Sequence, residues 1–449
     1  MPHNFIIAKF GGTSVADYIA MNNSADIVLA NPAIRLVVLS ASAGVTNQLF
    51  ILATGKNKKD RRELLDKIIC IQYSIIKRIY NQEFIRSKIN YILEKIKYLS
   101  EAAEFIKSAA LTDELISCGE LMSSLLFVEV LRQRQIVVEW FDVRQVMRTD
   151  DCFGCAKPDI CILLELVKYR LRPRFLEMLI VTQGFIGKDV KGRTTTLGRG
   201  GSDYTAAILG EALQVKRIDI WTDVPGIYTT DPHLVPSAKR INELTFSEAA
   251  AMAIFGAKVL HPGTLVPAVR SNISIFIGSS KNPTAGGTII SDKTYHLPVF
   301  RAITLRRKQI FFTLYKKKKL SINFLETVLK ILMRYNISLE VISFSEMSLS
   351  FMLDMTYSSI QFTRIMSPEL LTELSLFSQL EVEENLSLVT IIGNFFSDTK
   401  DRSKKMFHLL DYVSLHMFCD RYNQFILCFL VRDNHAEQIV KILHHKIFE

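Results

Sequence analysis

The feature that most constrains this chain is a recurring passage from a short apolar run, through glycine or other small residues, into a residue that opens a helix. Phe5 to Phe10 is such a run; it breaks at Gly11-Gly12 and restarts at Thr13-Ser14, a helix-cap signal. Ile34 to Leu39 is a second, closed by Ser40-Ala41-Ser42-Ala43-Gly44. Strands that are apolar along their whole length must bury both faces, so these runs predict an α/β fold with a parallel sheet covered by helices. Met178 to Val181 and Arg217 to Trp221 are further strand candidates. Between them lie the glycine-rich run Thr194 to Asp203 and a helix from about Tyr204 to Leu213. From Arg61 to Lys107, isoleucine and leucine recur at three- and four-residue spacing, which predicts helix.

The chain has 449 residues, 49% hydrophobic and 22% charged, a globular composition that excludes a disordered or collagen-like protein. At roughly 150 residues per domain it should form two or three domains. The net charge of +10 raises a nucleic-acid or acidic-membrane partner. However, more than half of the excess lies between Lys56 and Lys107, thirteen basic against seven acidic residues, in a stretch without recognition motifs. It reads as a solvated face, so neither nucleic acid nor membrane is expected as a partner. Seven scattered cysteines do not form a disulfide framework. Cys152 and Cys155 lack a second ligand pair at zinc spacing, so no metal site is expected. No apolar run approaches the ~20 residues of a membrane span, and Met1 to Phe5 lacks a signal-peptide pattern. The expectation is a soluble, cytoplasmic protein.

After Gly286-Gly287-Thr288 and the linker around Pro298 the pattern changes. Phe300 to Tyr315 reads as strand, Phe324 to Tyr335 as helix, Leu339 to Leu353 as a strand pair and Glu369 to Phe377 as helix. Leu386 to Ile392, Ser403 to Leu410, Phe425 to Val431 and Ala436 to His445 then run strand, helix, strand, helix. Two tandem βαββαβ modules are expected, with domain divisions at 1–295, 296–384 and 385–449.

The two glycine-rich turns carry the chemistry. Lys9-Phe10-Gly11-Gly12-Thr13-Ser14 puts a lysine at a strand end, then glycines whose bare N–H groups can approach an oxyanion at a helix N-terminus. Such parts hold transferring phosphates, because phosphoryl transfer is largely positioning and charge stabilisation. In the second turn, Thr196 to Asp203, Arg199 offers a planar fork for a carboxylate, and Asp203 is placed to anchor Lys9 or organise donors around a phosphate. Neither G-x-x-x-x-G-K-[ST] nor G-x-G-x-x-G is present, which disfavours a Walker-type ATPase and a Rossmann dehydrogenase. The residues themselves point to an α/β enzyme handling phosphate and a small anion.

Six segments in order resemble the aspartate kinase family: Lys9 to Ser14, Val38 to Gly44, Glu114 to Glu120, Thr194 to Asp203, Trp221 to Pro232, and Phe255 to Pro262. The similarity spans the chain, and its type is the monofunctional lysine-sensitive one with C-terminal ACT modules. The resemblance implies the amino-acid kinase fold, a mostly parallel sheet between helices. It also implies transfer of the ATP γ-phosphate to the side-chain carboxylate of L-aspartate, with Mg2+, in a homodimer paired through the ACT modules. By motif, Lys9 would neutralise the γ-phosphate, with Gly11 and Gly12 donating backbone hydrogen bonds. Ser40 and Thr46 would line the aspartate site, Ser42 being equally small and equally close. Glu120 would hold the substrate ammonium, Arg199 its α-carboxylate, and Asp203 would organise the phosphate-binding lysines. Thr222, Asp223, Tyr228 and His233 would border the nucleotide, and Lys258 would reach its phosphates.

The family places Arg where His233 stands, and a neutral imidazole lacks the permanent fork of Arg. For an effector the resemblance points to Phe324, Leu325, Ser338, Leu339, Glu340 and Ser345. Here Glu340 replaces Asp, Phe344 replaces a small polar residue, and the run Lys316 to Lys319 is shortened and basic. Lysine inhibition is therefore expected to be weak or absent. The competing readings are another carboxylate-directed amino-acid kinase, such as one acting on glutamate, and a non-catalytic amino-acid sensor.

Overall fold

The computed structural model describes residues 4–256, 260–295, 298–316, 322–335, 337, 339–353, 366–394, 417–421 and 425–449. The chain divides into two compact units. The first holds Met1–Ile227, Arg240–Ile254 and Lys258–His296, and the second Tyr228–Lys239, Phe255–Ala257 and Leu297–Glu449.

In the first unit, β1 (Ile6–Phe10), β2 (Ile34–Leu39), β3 (Val138–Phe141), β4 (Leu179–Gln183) and β7 (Arg217–Thr222) belong to one sheet with β10 (Glu243–Thr245), β11 (Ser274–Ser279) and β12 (Gly287–Ser291). The sheet order is β10-β12-β11-β7-β1-β2-β4-β3. Every neighbouring pair is parallel except β11 with β12. All five residues of β1 are buried, as an internal strand covered on both faces requires. β5 (Ile186–Lys188) and β6 (Thr194–Thr196) form a separate antiparallel hairpin, and β8 (Ile227–Tyr228) and β9 (Arg240–Ile241) are two-residue strands.

The first helix is not capped where the sequence suggested. Gly12–Val15 is a 3-10 turn, and α1 (Tyr18–Ala30) is capped by Asp17, whose carboxylate accepts from the Ala20 N–H at 2.8 Å. α2 (Val45–Ala53) starts behind Gly44, whose φ of +83° suits glycine. The long helical stretch is two helices, α3 (Lys58–Ile76) and α4 (Gln82–Phe105), the first capped by the Asn57 side chain. Their buried stripe is the isoleucine set Ile68, Ile75, Ile85, Ile89 and Ile96. Much of the positive excess faces solvent, although Arg61 pairs with Glu104 at 2.6 Å and Lys95 pairs with Glu114. α5 (Ala109–Arg132) is buried along most of its length; α6 (Ile160–Leu166) and α7 (Arg172–Glu177) lead into β4. α8 (Gly201–Leu213) begins three residues earlier than expected, directly on the glycines, and α9 (Phe246–Ile254) and α10 (Pro262–Ser271) complete the unit.

The second unit contains a six-stranded antiparallel sheet, β14-β15-β13-β16-β18-β17. Its strands are β13 (Phe300–Tyr315), β14 (Leu339–Phe344), β15 (Ser348–Leu353), β16 (Gln379–Gly393), β17 (Met417–Arg421) and β18 (Phe425–Arg432). The helices are α11 (Ile322–Arg334), α12 (Pro368–Ser375) and α13 (Asp433–Phe448). β13 and β16 pair along their lengths through an irregularity between Arg306 and Phe311, with Lys308 and Asn385 both at φ +58°. On one side of it, Phe311–Tyr315 pairs with β15 and packs α11 and α12 around Phe312, Phe351, Val328 and Leu370. On the other, Phe300–Arg306 pairs with Leu388–Gly393, and α13 packs on Ile303, Val389 and Phe429 through Val440.

Two ACT-like modules are present, but they are not consecutive. The strand Phe300–Arg306, which precedes the first module in the chain, belongs to the sheet of the second. A division at residue 384 falls inside β16. Strand periodicity shows where a strand runs and not which strand it pairs with, so the nesting has no local signal. The helix expected at Ser403 to Leu410 lies outside the described residues.

Candidate active site

Parallel pairing sends the ends of β11, β7, β1 and β2 to one edge of the sheet. β1 is the point at which the strand order reverses, with β2 and β4 on one side and β7 and β11 on the other. In open α/β sheets ligands bind at the carboxyl ends of the strands at such a switch point. Lys9–Ser14, Ser40–Gly44 and Thr222–Asp223 all lie at strand ends here. Backbone bonds join them: Gly11 N–H to Trp221 O at 3.0 Å, Ser40 N–H to Phe10 O at 3.2 Å, and Ala43 N–H to Gly12 O at 3.1 Å. The Ser14 and Ser280 hydroxyls meet at 2.7 Å. Gly12 is required by close approach, since a Cβ there would stand 2.8 Å from the Ala41 carbonyl oxygen.

The second glycine turn reaches the same place from β6. Gly200 has φ +71°, and a Cβ on it would lie 2.4 Å from His261 Cβ, so the turn admits only glycine before α8 begins. In the first turn of α8, Asp203 Oδ1 lies 2.5 Å from Lys9 Nζ, with both side chains largely enclosed. The ion pair holds the lysine at the end of β1, beside the N-terminal amides of α8. The Gly11 N–H, expected to donate to a phosphate, is taken by the Trp221 carbonyl; the enclosed cation, the Gly12 N–H and the helix N-terminus together favour a polyanion.

Glu120 projects from α5 into this region. α5 approaches closely because Gly119 has no side chain; a Cβ there would lie 2.8 Å from Ala41 Cβ. Glu120 is 3% exposed, and its Oε1 accepts from the Ala41 N–H at 3.2 Å. Among the described residues no donor reaches its Oε2. Burial pushes the carboxyl up to about 8, against the Ala41 N–H and the Lys9 charge, which favour the ionised form. A buried, half-satisfied carboxylate is suited to receive a cation from a ligand. Ser123 Oγ donates to Ser40 O at 2.8 Å, tying the same helix to the β2 turn. Thr46 is half-buried in the first turn of α2.

Sequence reasoning could not separate Ser40 from Ser42. Ser42 is the more enclosed, at 1% exposure, and its Oγ has no partner among the described residues. Asp113, one of the buried acids of α5, was missed altogether; its signal was its place ahead of Glu114 in the motif ending at Glu120. Burial pushes Asp113 up to about 6.

The remaining expected residues are spread more widely. Arg199 is exposed at the tip of the second turn. Thr222 Oγ1 donates to Asp223 Oδ1 at 3.0 Å. Tyr228 and His233 lie in a stretch grouped with the second unit, where Ile303 N–H donates to Thr229 O at 2.7 Å and the Thr229 hydroxyl meets His444 Nε2 at 2.9 Å. The His233 N–H donates to Asp231 Oδ1 at 2.9 Å. Lys258 lies outside the described residues. Of the effector set, Phe324 is buried in the core of the second unit and Leu325 packs against that core. Leu339 opens β14, and Ser345 Oγ donates to Ser348 O at 3.1 Å in the β14–β15 turn. Ser338 and the Glu340 side chain lie outside the described residues.

Comparison with known proteins gives a consistent result. The amino acid kinase family model matches residues 4–279. Lysine-sensitive aspartokinase 3 of Escherichia coli is 55% identical over 445 residues, 99% of both chains. An aspartokinase of Chlamydia pneumoniae is 31% identical, over 98% of this chain and 97% of that one. The crystal structure of E. coli aspartokinase III with aspartate and ADP superimposes with a TM-score of 0.93 at 54% identity, covering 99% of this chain and all of that one. The same enzyme with lysine and aspartate gives a TM-score of 0.82 over the same coverage. With a sheet-edge site of this composition and relatives matched from end to end, the chain belongs to the amino acid kinase family and, within it, to the aspartokinases.

Proposed function

We propose that this chain transfers the γ-phosphoryl group of ATP to the side-chain carboxylate of L-aspartate. The products are ADP and 4-phospho-L-aspartate, in the first step towards diaminopimelate, lysine, threonine and methionine. The observation that carries the reading is the Lys9–Asp203 ion pair joining both glycine turns beside the buried, half-satisfied Glu120. A carboxylate oxygen of aspartate attacks the γ-phosphorus as the bond to the β-phosphate oxygen breaks, and the electron pair leaves with ADP. The nucleophile is already ionised at neutral pH, so no general base is needed, and the demand falls on positioning and charge. Lys9 and the N–H group of Gly12 meet the charge on the γ-phosphoryl oxygens, and Asp203 orients Lys9. Glu120 pairs with the substrate ammonium and Arg199 with its α-carboxylate, while Ser40 and Thr46 line the pocket. Thr222, Asp223, Tyr228, His233 and Lys258 border the nucleotide.

Mg2+ would arrive with ATP, held largely by phosphate oxygens, and the Asp223 carboxylate is an oxygen donor of the type it takes. It would supply neutralisation of the phosphate charge.

Residues 1–295 form the catalytic domain in this reading, and the ACT-like sheet is regulatory. The exposed Ile342 and Phe344 on its edge strand β14 support homodimer pairing through that unit. Lysine is the proposed effector, because the E. coli relative bears that name, and Glu340 and Phe344 favour weaker inhibition. Among the described residues no helix is long and apolar enough to cross a membrane, and the reading places the enzyme in the cytoplasm. A coupled hydroxamate assay with MgATP tests the function. Aspartyl hydroxamate with aspartate and little product with glutamate are expected; a preference for glutamate, or no turnover, would refute it.

A further inference from the structure

Asp113 sits seven residues before Glu120 on α5 and is 1% exposed. Its carboxylate gathers three donors from two other segments. Oδ2 accepts from the Thr196 N–H at 2.7 Å and the Gly154 N–H at 3.0 Å, and Oδ1 accepts from the Thr196 hydroxyl at 3.0 Å. Thr196 ends β6, immediately before the turn that carries Arg199. Gly154 lies in the tight turn Cys152–Cys155, where the Cys155 N–H donates to Cys152 O at 3.1 Å and Gly154 has φ +83°.

That turn backs directly on the substrate loop. Ala156 N–H donates to Thr196 O at 2.9 Å, and a Cβ on Gly198 would stand 3.2 Å from Gly154 O. One buried carboxylate therefore locks β6 and its backing turn to α5, and the frame so fixed is the one from which Gly198-Arg199-Gly200 departs. Burying a carboxylate is costly unless donors satisfy it, and this one is met by neutral donors from the loop frame. An asparagine would keep one acceptor oxygen for the two N–H groups but lose the negative charge that strengthens those bonds, and its NH2 group would force the Thr196 hydroxyl to turn from donor to acceptor.

We propose that Asp113 is a positioning residue for the amino-acid substrate. By pinning Thr196 and Gly154 to α5, it sets the separation between Arg199 and Glu120. The inference rests on the proposed roles of Glu120 and Arg199. α5 would then control both ends of the substrate, the ammonium directly through Glu120 and the α-carboxylate through the frame that Asp113 holds. A shift of that frame would move Arg199 relative to Glu120 and weaken the grip on the two charged ends of an α-amino acid.

Steady-state kinetics on the full-length protein test this with Asp113→Asn, Arg199→Ala and the double variant. Asp113→Asn should raise KM for aspartate about tenfold, with KM for ATP and kcat nearly unchanged. In the Arg199→Ala background the same change should add less than about twofold, because the group it positions is gone. Should Asp113→Asn fail to fold, Thr196→Val removes one donor to the same carboxylate and should give a smaller shift with the same dependence on Arg199. An aspartate KM raised by Arg199→Ala but left unchanged by Asp113→Asn overturns the positioning role alone. So does an Asp113 effect of equal size in both backgrounds. An aspartate KM unchanged in Arg199→Ala refutes the assignment of Arg199, and the positioning role with it.

Discussion

Glu120→Gln should stabilise the enzyme increasingly as pH rises, while impairing its use of aspartate. Burial raises this carboxyl from 4.5 to about 8. Between those values the folded chain retains a proton that the unfolded chain releases, so stability is lost as pH rises through that window. One pKa unit corresponds to about 1.36 kcal/mol; the cost at pH 7 is therefore about 3 kcal/mol, approaching 5 at pH 9. Glutamine carries no such cost and keeps the acceptor for the Ala41 N–H. In thermal melts from pH 5 to 9, the melting temperature of the variant minus that of the wild type should be small at pH 5. It should widen to roughly 5 °C by pH 8, since other titrating groups cancel in the difference. Aspartate at pH 7.5 should raise the melting temperature of the wild type only, because its ammonium is what recovers the charge, and KM for aspartate should rise at least about tenfold. A melting difference that stays constant across the pH range would refute the argument that Glu120 is held protonated by burial.

Lys9→Ala and Asp203→Ala should each lower kcat by about a hundredfold or more with the fold retained, since an enclosed preorganised charge is worth roughly 3 kcal/mol of barrier. Near-normal turnover in either variant by the hydroxamate assay would remove the phosphate assignment. Lysine should inhibit this enzyme weakly at sub-saturating aspartate, about tenfold less tightly than an ordinary effector site, a change of only ~1.4 kcal/mol. Inhibition in the low-millimolar range or below, read from a titration, would show that Glu340 and Phe344 still build a full-strength site.

The amino-acid sequence by itself determined what depends on short-range pattern. Ile6–Phe10 and Ile34–Leu39, apolar but for Lys9 and Arg35, read as internal strands. Gly12 and Gly200 mark places where any Cβ would collide, and the ordered motifs around Lys9, Glu120 and Asp203 carried the family and its chemistry. Tertiary structure decided what depends on which distant segments meet. The 2.5 Å Lys9–Asp203 pair joins two turns that the whole β2-to-β6 excursion separates in the chain. The raised proton affinity of Glu120 exists only because Gly119 lets α5 close on the β2 turn and exclude water. Asp113 looks like any helix acid until β6 and the Cys152–Cys155 turn converge on it. Likewise, the two ACT-like modules could be recognised from their alternating strands and helices, but not their nesting. Phe300–Arg306 pairs with Leu388–Gly393 across an entire intervening module. Periodicity states which face of a strand is apolar; the partner that covers it is chosen by packing, through contacts that no local window of sequence contains.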